Sequence, residues 1–384
     1  MSTFNCIFCI FGRLTFCKSM KTISLFSGCG GMDFGAEAAG AEIIFANDID
    51  HDSCETLRKY FPKTHVHEGD ISEVNNFPSA DLVIGGYPCQ SFSLGGKRNP
   101  EADPRTKLYL HFVRIISIVK PKYFLAENVS GLRGLKNGAF FKEQLAEFER
   151  QGYNVTTQLL DAKDYGVPQI RKRLIIVGIR KDLNKKFVFP NPTHGKASRK
   201  NPELLPYASH GEAIKDLPLW PTGEFYERPH DPEGHMSWYF MSRNRKKNWD
   251  DPAFTVVANW RHITLHPACA QMTLTWSNLS DGFKQRWDFS DKYEHIVNNP
   301  NRPKFEVPRR LSWRECSRIQ TFSKDFEPIG DVQSKFQQIG NAVPPLLAKA
   351  VFDHLLNGKG IKNHNEVTAE GKTYKQLELF LENN

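Results

Sequence analysis

The sequence predicts an α/β protein, a mostly parallel sheet flanked by helices, with a second, smaller and irregular domain. From Lys21 to about Ile179, short apolar runs alternate with amphipathic helical stretches. After residue 180 prolines and irregular polar stretches dominate, and all seven tryptophans fall between Trp220 and Trp313. At 384 residues and 40% apolar, the chain can bury a full core and divide into two domains.

The expected strands are Thr22–Phe26, Glu42–Asn47, Asp81–Ile84, Tyr123–Glu127, Val155–Leu160 and Leu174–Ile179. Residues 21–185 read as the first part of the sheet domain, 186–308 as the second domain, 309–357 as a return to the sheet domain and 358–384 as a tail. Residues 1–20 read as a disordered extension. Phe4 to Phe16 is apolar but is interrupted by Gly12 and Arg13, and it is too short to span a bilayer. Cys6 and Cys9 form one CxxC without a second pair, so no metal site is expected. Met20, directly before the first strand, offers an alternative start. The eight cysteines form no even framework, which points to a reducing cytoplasm. A net charge of +8 favours a polyanionic partner.

The first strand runs into Phe26-Ser27-Gly28-Cys29-Gly30-Gly31 and then a helix from Met32 to Ala39. Such a turn lets a ligand approach the backbone at a helix N-terminus. Asp48 stands at the end of the second strand, where a carboxylate can bind ribose hydroxyls. No phosphate loop of the GxxxxGK[ST] type occurs, and the nucleoside could belong to NAD or to S-adenosylmethionine. The stretch GGYPCQSFS (85–93) pushes Cys89 out on a proline-stiffened loop after a buried strand. Glu127-Asn128-Val129 also follows an apolar strand. Parallel strands end at one edge of a sheet, so Gly28, Asp48, Cys89 and Glu127 should converge there. Gln169-Ile170-Arg171-Lys172-Arg173 puts two arginines on one face at the start of another strand.

Together with NDID, GDI, FLAENV, RRLSWRECSRIQTF and GNAVPP, these stretches resemble the DNA (cytosine-5) methyltransferase family of bacterial restriction–modification type, from Thr22 to about Val351. Tyr87 stands where that family commonly has proline. The resemblance implies a Rossmann-like S-adenosylmethionine-dependent methyltransferase sheet domain and a target-recognition domain. It implies a cytoplasmic, nucleoid-associated monomer acting on duplex DNA, with no membrane partner. Cys89 would add to cytosine C6, Glu127 would hold the exocyclic amine and N3, Arg173 would reach O2 with Arg171 beside it, and Asn128 would brace the Pro88 loop.

For the cofactor S-adenosyl-L-methionine, the resemblance implies Phe26, Gly28, Cys29, Gly30, Gly31, Asp48, Ile49, Asp70, Ile71, Leu108, Asn341, Ala342 and Val343. Gln90, Ser93, Arg243, Arg245 and Arg261 would contact DNA, arginine being suited to guanine edges. SRNR, PAFTV and LHP resemble the recognition region of methyltransferases acting on GGCC sites, whereas Asn259–Ile263 departs from it. An RNA cytosine-5 methyltransferase of the same fold is the alternative, but its Cys-Phe-Thr signature is absent here; an inactive DNA-binding relative is the other. In the tail, Gln376-Leu377-Glu378-Leu379-Phe380 resembles the peptide with which bacterial proteins dock on the sliding clamp. A plain amphipathic helix is the competing reading.

Overall fold

A computed structural model describes residues 19–87, 108–132, 138–199, 201–225, 236–276, 285–293 and 302–363. Pro88, Cys89, Gln90 and Ser93, the extension before residue 19 and the Gln376–Phe380 peptide lie outside the described residues.

Seven strands form one sheet: β1 (Met20–Leu25), β2 (Ala41–Asp48), β3 (His65–Glu68), β4 (Leu82–Gly85), β5 (Tyr123–Val129), β6 (Tyr153–Asp161) and β7 (Lys172–Arg180). Their order is β3-β2-β1-β4-β5-β7-β6. The first five run parallel, and β7 is antiparallel to both β5 and β6. The expected strands all appear; Asp81–Ile84 is shifted by one residue to Leu82–Gly85, and the others are one to three residues longer than expected. His65–Glu68 escaped the sequence reading because its side chains, His-Val-His-Glu, carry no apolar run for a pattern to detect.

Both faces of the sheet are covered, as parallel strands require. Alternate residues feed two separate cores. Leu82, Ile84, Leu125, Ile175, Val177 and Ile179 join one, while Ile23, Leu25, Val83, Phe124, Ala126 and Ile176 join the other. On the first face lie α1 (Gly31–Ala38), α2 (His51–Tyr60) and the late helix α9 (Pro345–Leu356). On the second lie α3 (Leu108–Val119) and α4 (Ala139–Arg150), which bury Tyr109, Phe112, Val113 and Ile116 at helical spacing, and Phe141 and Phe148. The C-terminal α9 thus completes the packing of the N-terminal sheet through Leu347, Ala348, Val351 and Phe352.

The remaining elements are short: β8 (Lys185–Phe187), α5 (His210–Ile214), α6 (Trp238–Met241), β9 (Met272–Trp276), β10 (Gln285–Phe289), α7 (Trp313–Ile319), α8 (Val332–Asn341) and β11 (Ile361–Asn363). A small core of Phe240, Met241, Trp249, Leu265, Ala268, Cys269, Met272 and Phe305 sits within residues 236–305. Tryptophan content there has a structural basis, since a region with so little regular structure relies on large side chains for burial. α7 begins with a reciprocal cap in which Ser312 and Glu315 satisfy each other's backbone N–H groups.

Candidate active site

The C-terminal ends of β1 and β2 lie side by side, with Leu25 opposite Asn47. That register brings together two groups twenty positions apart in sequence. The Gly28 N–H donates to Asp48 Oδ2 at 2.7 Å, and the Asp50 N–H donates to Oδ1 at 3.0 Å. Burial raises the Asp48 carboxyl above its ordinary range, partly offset by these donors. Each oxygen keeps a lone pair for a hydroxyl.

The glycine turn divides its work. A Cβ on Gly28, at φ 54°, would meet no described atom within 4 Å, so this side is open. A Cβ on Gly30 would lie 2.8 Å from the Phe61 ring, and one on Gly31 would lie 2.4 Å from the Val343 carbonyl and 2.9 Å from Ala342 Cβ. Glycine at 30 and 31 therefore serves close packing, and only Gly28 faces open space. Cys29 is buried, donates to the Gln338 carbonyl at 3.4 Å, and is pushed far above the ordinary thiol range by burial. Phe26 holds a left-handed φ of 54° at the strand's end.

Beside Asp48, Ile49 is 74% exposed, an unusual place for a large apolar side chain. Asp70 caps the turn Ile71–Glu73 through the Ser72 N–H, and Ile71 is buried. Two residues to which the sequence reading gave no individual role set this loop. Asn47 donates to the carbonyls of His67 and Gly69 at 3.1 and 3.0 Å, and Arg114 on α3 donates to those of Ile71 and Val74 at 2.7 and 2.8 Å. No local pattern signals such contacts, because their partners are backbone carbonyls set by the fold. An open glycine face, a carboxylate and an exposed isoleucine fit an adenosine group, with hydroxyls for Asp48 and an apolar base for Ile49. Leu108 is half-buried against the adjoining core.

At the next strand ends, the antiparallel β7 begins where β5 finishes, so Val129 pairs with Arg173 and Glu127 with Ile175. Arg173 Nε lies 2.7 Å from Glu127 Oε1. The contact is a charge pair without hydrogen-bond alignment: Oε1 is buried and has no hydrogen-bond donor among the described residues. Burial raises the Glu127 carboxyl, while Arg173 and Arg171 act to lower it. A Cβ on Gly86 would come within 3.1 Å of Glu127 Oε2, which places the carboxyl against Gly86, three positions before Cys89 in sequence. Asn128 donates to the Tyr87 carbonyl at 3.3 Å, and the Tyr87 hydroxyl, itself buried, donates to Gln144 Oε1 at 3.0 Å. Tyr87 thus gains an anchor that a proline there would lack.

Arg171 does different work. Its guanidinium is buried and donates to the carbonyls of Val256, Gly340 and Ala342, each at 2.8 Å. Gln169 accepts from the Val256 N–H at 2.8 Å and donates to Gln320 at 2.7 Å. The 169–171 segment therefore ties the sheet to residues 253–256 and to the Asn341-Ala342-Val343 segment. Arg171→Met would remove a guanidinium donor from three buried carbonyls, of which only that of Ala342 keeps a second donor, Gln320 Nε2 at 3.4 Å, among the described residues, and should cost about 3–5 kcal/mol in urea unfolding. A loss below about 1 kcal/mol would show that other donors take over.

Among the expected readout residues, Arg243 and Arg261 are exposed, with Arg261 lying 5.1 Å over the Trp260 ring. Arg245 is half-buried, donates from Nε to the Phe240 carbonyl at 3.1 Å, and lies 4.9 Å over the Phe240 ring. All three surround His262, whose pKa is lowered by burial and then by Arg245, Arg310, Arg261 and Arg243. A concentration of guanidinium groups on one face suits an anionic ligand.

Comparison with known proteins shows the family and the fold. The family described as C-5 cytosine-specific DNA methylase matches residues 20–357. Type II methyltransferase M.BspRI of Lysinibacillus sphaericus is 38% identical over 86% of this chain and 80% of its own. Type II methyltransferase M.FnuDI of Fusobacterium nucleatum is 37% identical over 89% of this chain and 97% of its own. The solved S. pombe Dnmt2 methyltransferase shares the fold, with a TM-score of 0.60 at 16% identity, over 89% of this chain and 99% of that one. With a matching family model over most of its length and an α/β methyltransferase sheet, the chain belongs to the C-5 cytosine-specific DNA methylase family and is a DNA cytosine-5 methyltransferase.

Proposed function

We propose that the enzyme methylates C5 of a flipped-out cytosine within a GGCC-like duplex site, as the modification half of a restriction–modification pair, through a covalent Cys89–C6 adduct. The observation that supports this best is the Glu127–Arg173 pair, held against Gly86, three positions before Cys89 in sequence, with Glu127 Oε1 lacking a hydrogen-bond donor among the described residues. Cytosine C5 is a poor nucleophile while the ring is aromatic. Thiolate addition at C6 makes it enamine-like, and cations near Cys89 would raise the thiolate fraction. A carboxyl with a raised pKa holds a proton at N3 as negative charge develops, and Oε1 accepts from the exocyclic amine. Arg173 orients that carboxyl and reaches O2. Loss of the C5 proton and elimination of Cys89 restore the ring.

S-adenosyl-L-methionine, when bound, supplies the electrophilic methyl group. Asp48 would take its ribose, Ile49 and Phe26 its adenine, Asp70 the adenine amine, and the open side of Gly28 the methionine part. A cytosine in a duplex hides C6, so the base must leave the stack at a cost of about a few kcal/mol.

Tritiated-methyl transfer to duplex DNA, single-stranded DNA and tRNA in parallel tests this reading, with labelled sites then mapped. Duplex DNA should be labelled fastest, at one short sequence. Faster labelling of tRNA would return the RNA alternative. Within the recognition surface, Arg243→Gln or Arg261→Gln should cost about 1–3 kcal/mol at the cognate site and relax preference at one position. Unchanged site choice in both variants would move readout elsewhere.

A further inference from the structure

Arg309 and Arg310 are neighbours in sequence with opposite fates. Leu265 bridges to Arg310, the Leu311 N–H donates to the Thr264 carbonyl at 2.9 Å, and the His266 N–H donates to the Arg309 carbonyl at 3.0 Å. This short extended pairing sends successive side chains to opposite sides. Arg309 points inward and is fully buried, with a bidentate bond to Glu315 at 2.8 and 2.9 Å. Arg310 points the other way and lies 4.5 Å over the Phe240 ring, the same ring that supports Arg245. Its Nε is buried and has no hydrogen-bond partner among the described residues. Among the described residues no carboxylate pairs with it and Arg245 is its nearest charge of consequence; burial followed by that repulsion lowers its pKa to about 10.

We infer that Arg310 is a further DNA contact, binding a backbone phosphate beside the readout arginines; the inference rests on the reading that this face meets duplex DNA. Two guanidinium groups over one aromatic ring, beside His262, repel each other and leave their charge unbalanced. A phosphate carries a full negative charge and can balance it, whereas a guanine edge offers only partial charges. A planar guanidinium already stacked on Phe240 loses little freedom when it binds, and its forked donors match phosphate oxygens. The pinned backbone at the Leu265 bridge adds to this rigidity. Positioning contacts of this kind fix register without reading sequence.

Fluorescence anisotropy would compare the wild type with Arg310→Gln on a GGCC-containing and a GGCC-free duplex across a salt series. Arg310→Gln should weaken both duplexes alike, on the order of tenfold, and reduce the slope of log K against log salt by about one. Arg310→Lys, which retains charge but not the stacked plane, should keep the slope and lose less affinity. Duplexes with single methylphosphonate substitutions should reveal one position where neutralisation weakens the wild type and, less strongly, Arg310→Lys, but does not weaken Arg310→Gln further. Wild-type affinity and slope in Arg310→Gln would overturn the inference. So would a loss confined to the GGCC duplex, which would make Arg310 a base reader, or a scan with no variant-specific position, which decides the matter if Arg310→Gln folds poorly. A wild-type enzyme that neither binds nor methylates duplex DNA would instead sink the functional reading on which the inference rests.

Discussion

Replacing Cys89 by serine should abolish methyl transfer, by about 10⁴-fold or more, while duplex DNA is still bound. A serine hydroxyl ionises far less readily than a thiol and adds poorly to an aromatic ring, so C5 is never activated. Affinity should persist because phosphate contacts supply most of it. The same chemistry predicts that the wild type becomes covalently trapped on duplex DNA containing 5-fluorocytosine. Fluorine at C5 cannot leave as the proton does, so Cys89 cannot be eliminated. Denaturing electrophoresis of the wild-type and Cys89→Ser reactions would show a shifted band only for the former. Serine turnover within about tenfold of the wild type would remove Cys89 from the mechanism.

Glu127→Gln should lower kcat by about 10²–10⁴-fold while leaving S-adenosylmethionine affinity near the wild-type value. Glutamine preserves the size of the side chain and one acceptor, but it cannot hold or pass a proton at N3. Its loss also leaves Arg173 without the carboxyl 2.7 Å from Nε. Since burial raises the Glu127 pKa, the protonated form persists to higher pH than for an ordinary glutamate. The part of the wild-type rate that depends on it should fall as pH rises through that raised value, and the variant should lack this limb. Isothermal titration with the cofactor and single-turnover transfer across pH would separate the two effects. Equal losses in cofactor affinity and turnover would make Glu127 a structural residue.

Much of the site was legible because its residues are carried on short contiguous motifs. The glycine turn and Asp48 are placed by two adjacent parallel strands, and apolar runs locate strands reliably when both faces of a sheet are buried. His65–Glu68 was not legible, since an edge strand with polar side chains leaves no hydrophobic signature. No individual role for Asn47, Arg114 or Gln169 was legible, for a related reason. Each acts through a backbone or side-chain partner whose position depends on the completed fold.

By itself, the sequence determined the alternation of strands and helices, the glycine turn after the first strand and the acidic strand ends. Hydrophobic period and turn chemistry are local properties, written within a few residues. Only the tertiary structure decided how charge is shared among the arginines. Arg171 and Arg173 stand two positions apart, yet one donates to three carbonyls and the other faces Glu127. Arg309 and Arg310 are adjacent, yet one is neutralised by Glu315, and the other stacks on Phe240 near Arg245 with no carboxylate partner among the described residues. The side chain is identical in all four cases. What differs is which distant carbonyl, carboxylate or ring the fold brings within reach, and burial then magnifies that difference because an unbalanced charge in a dry place is costly.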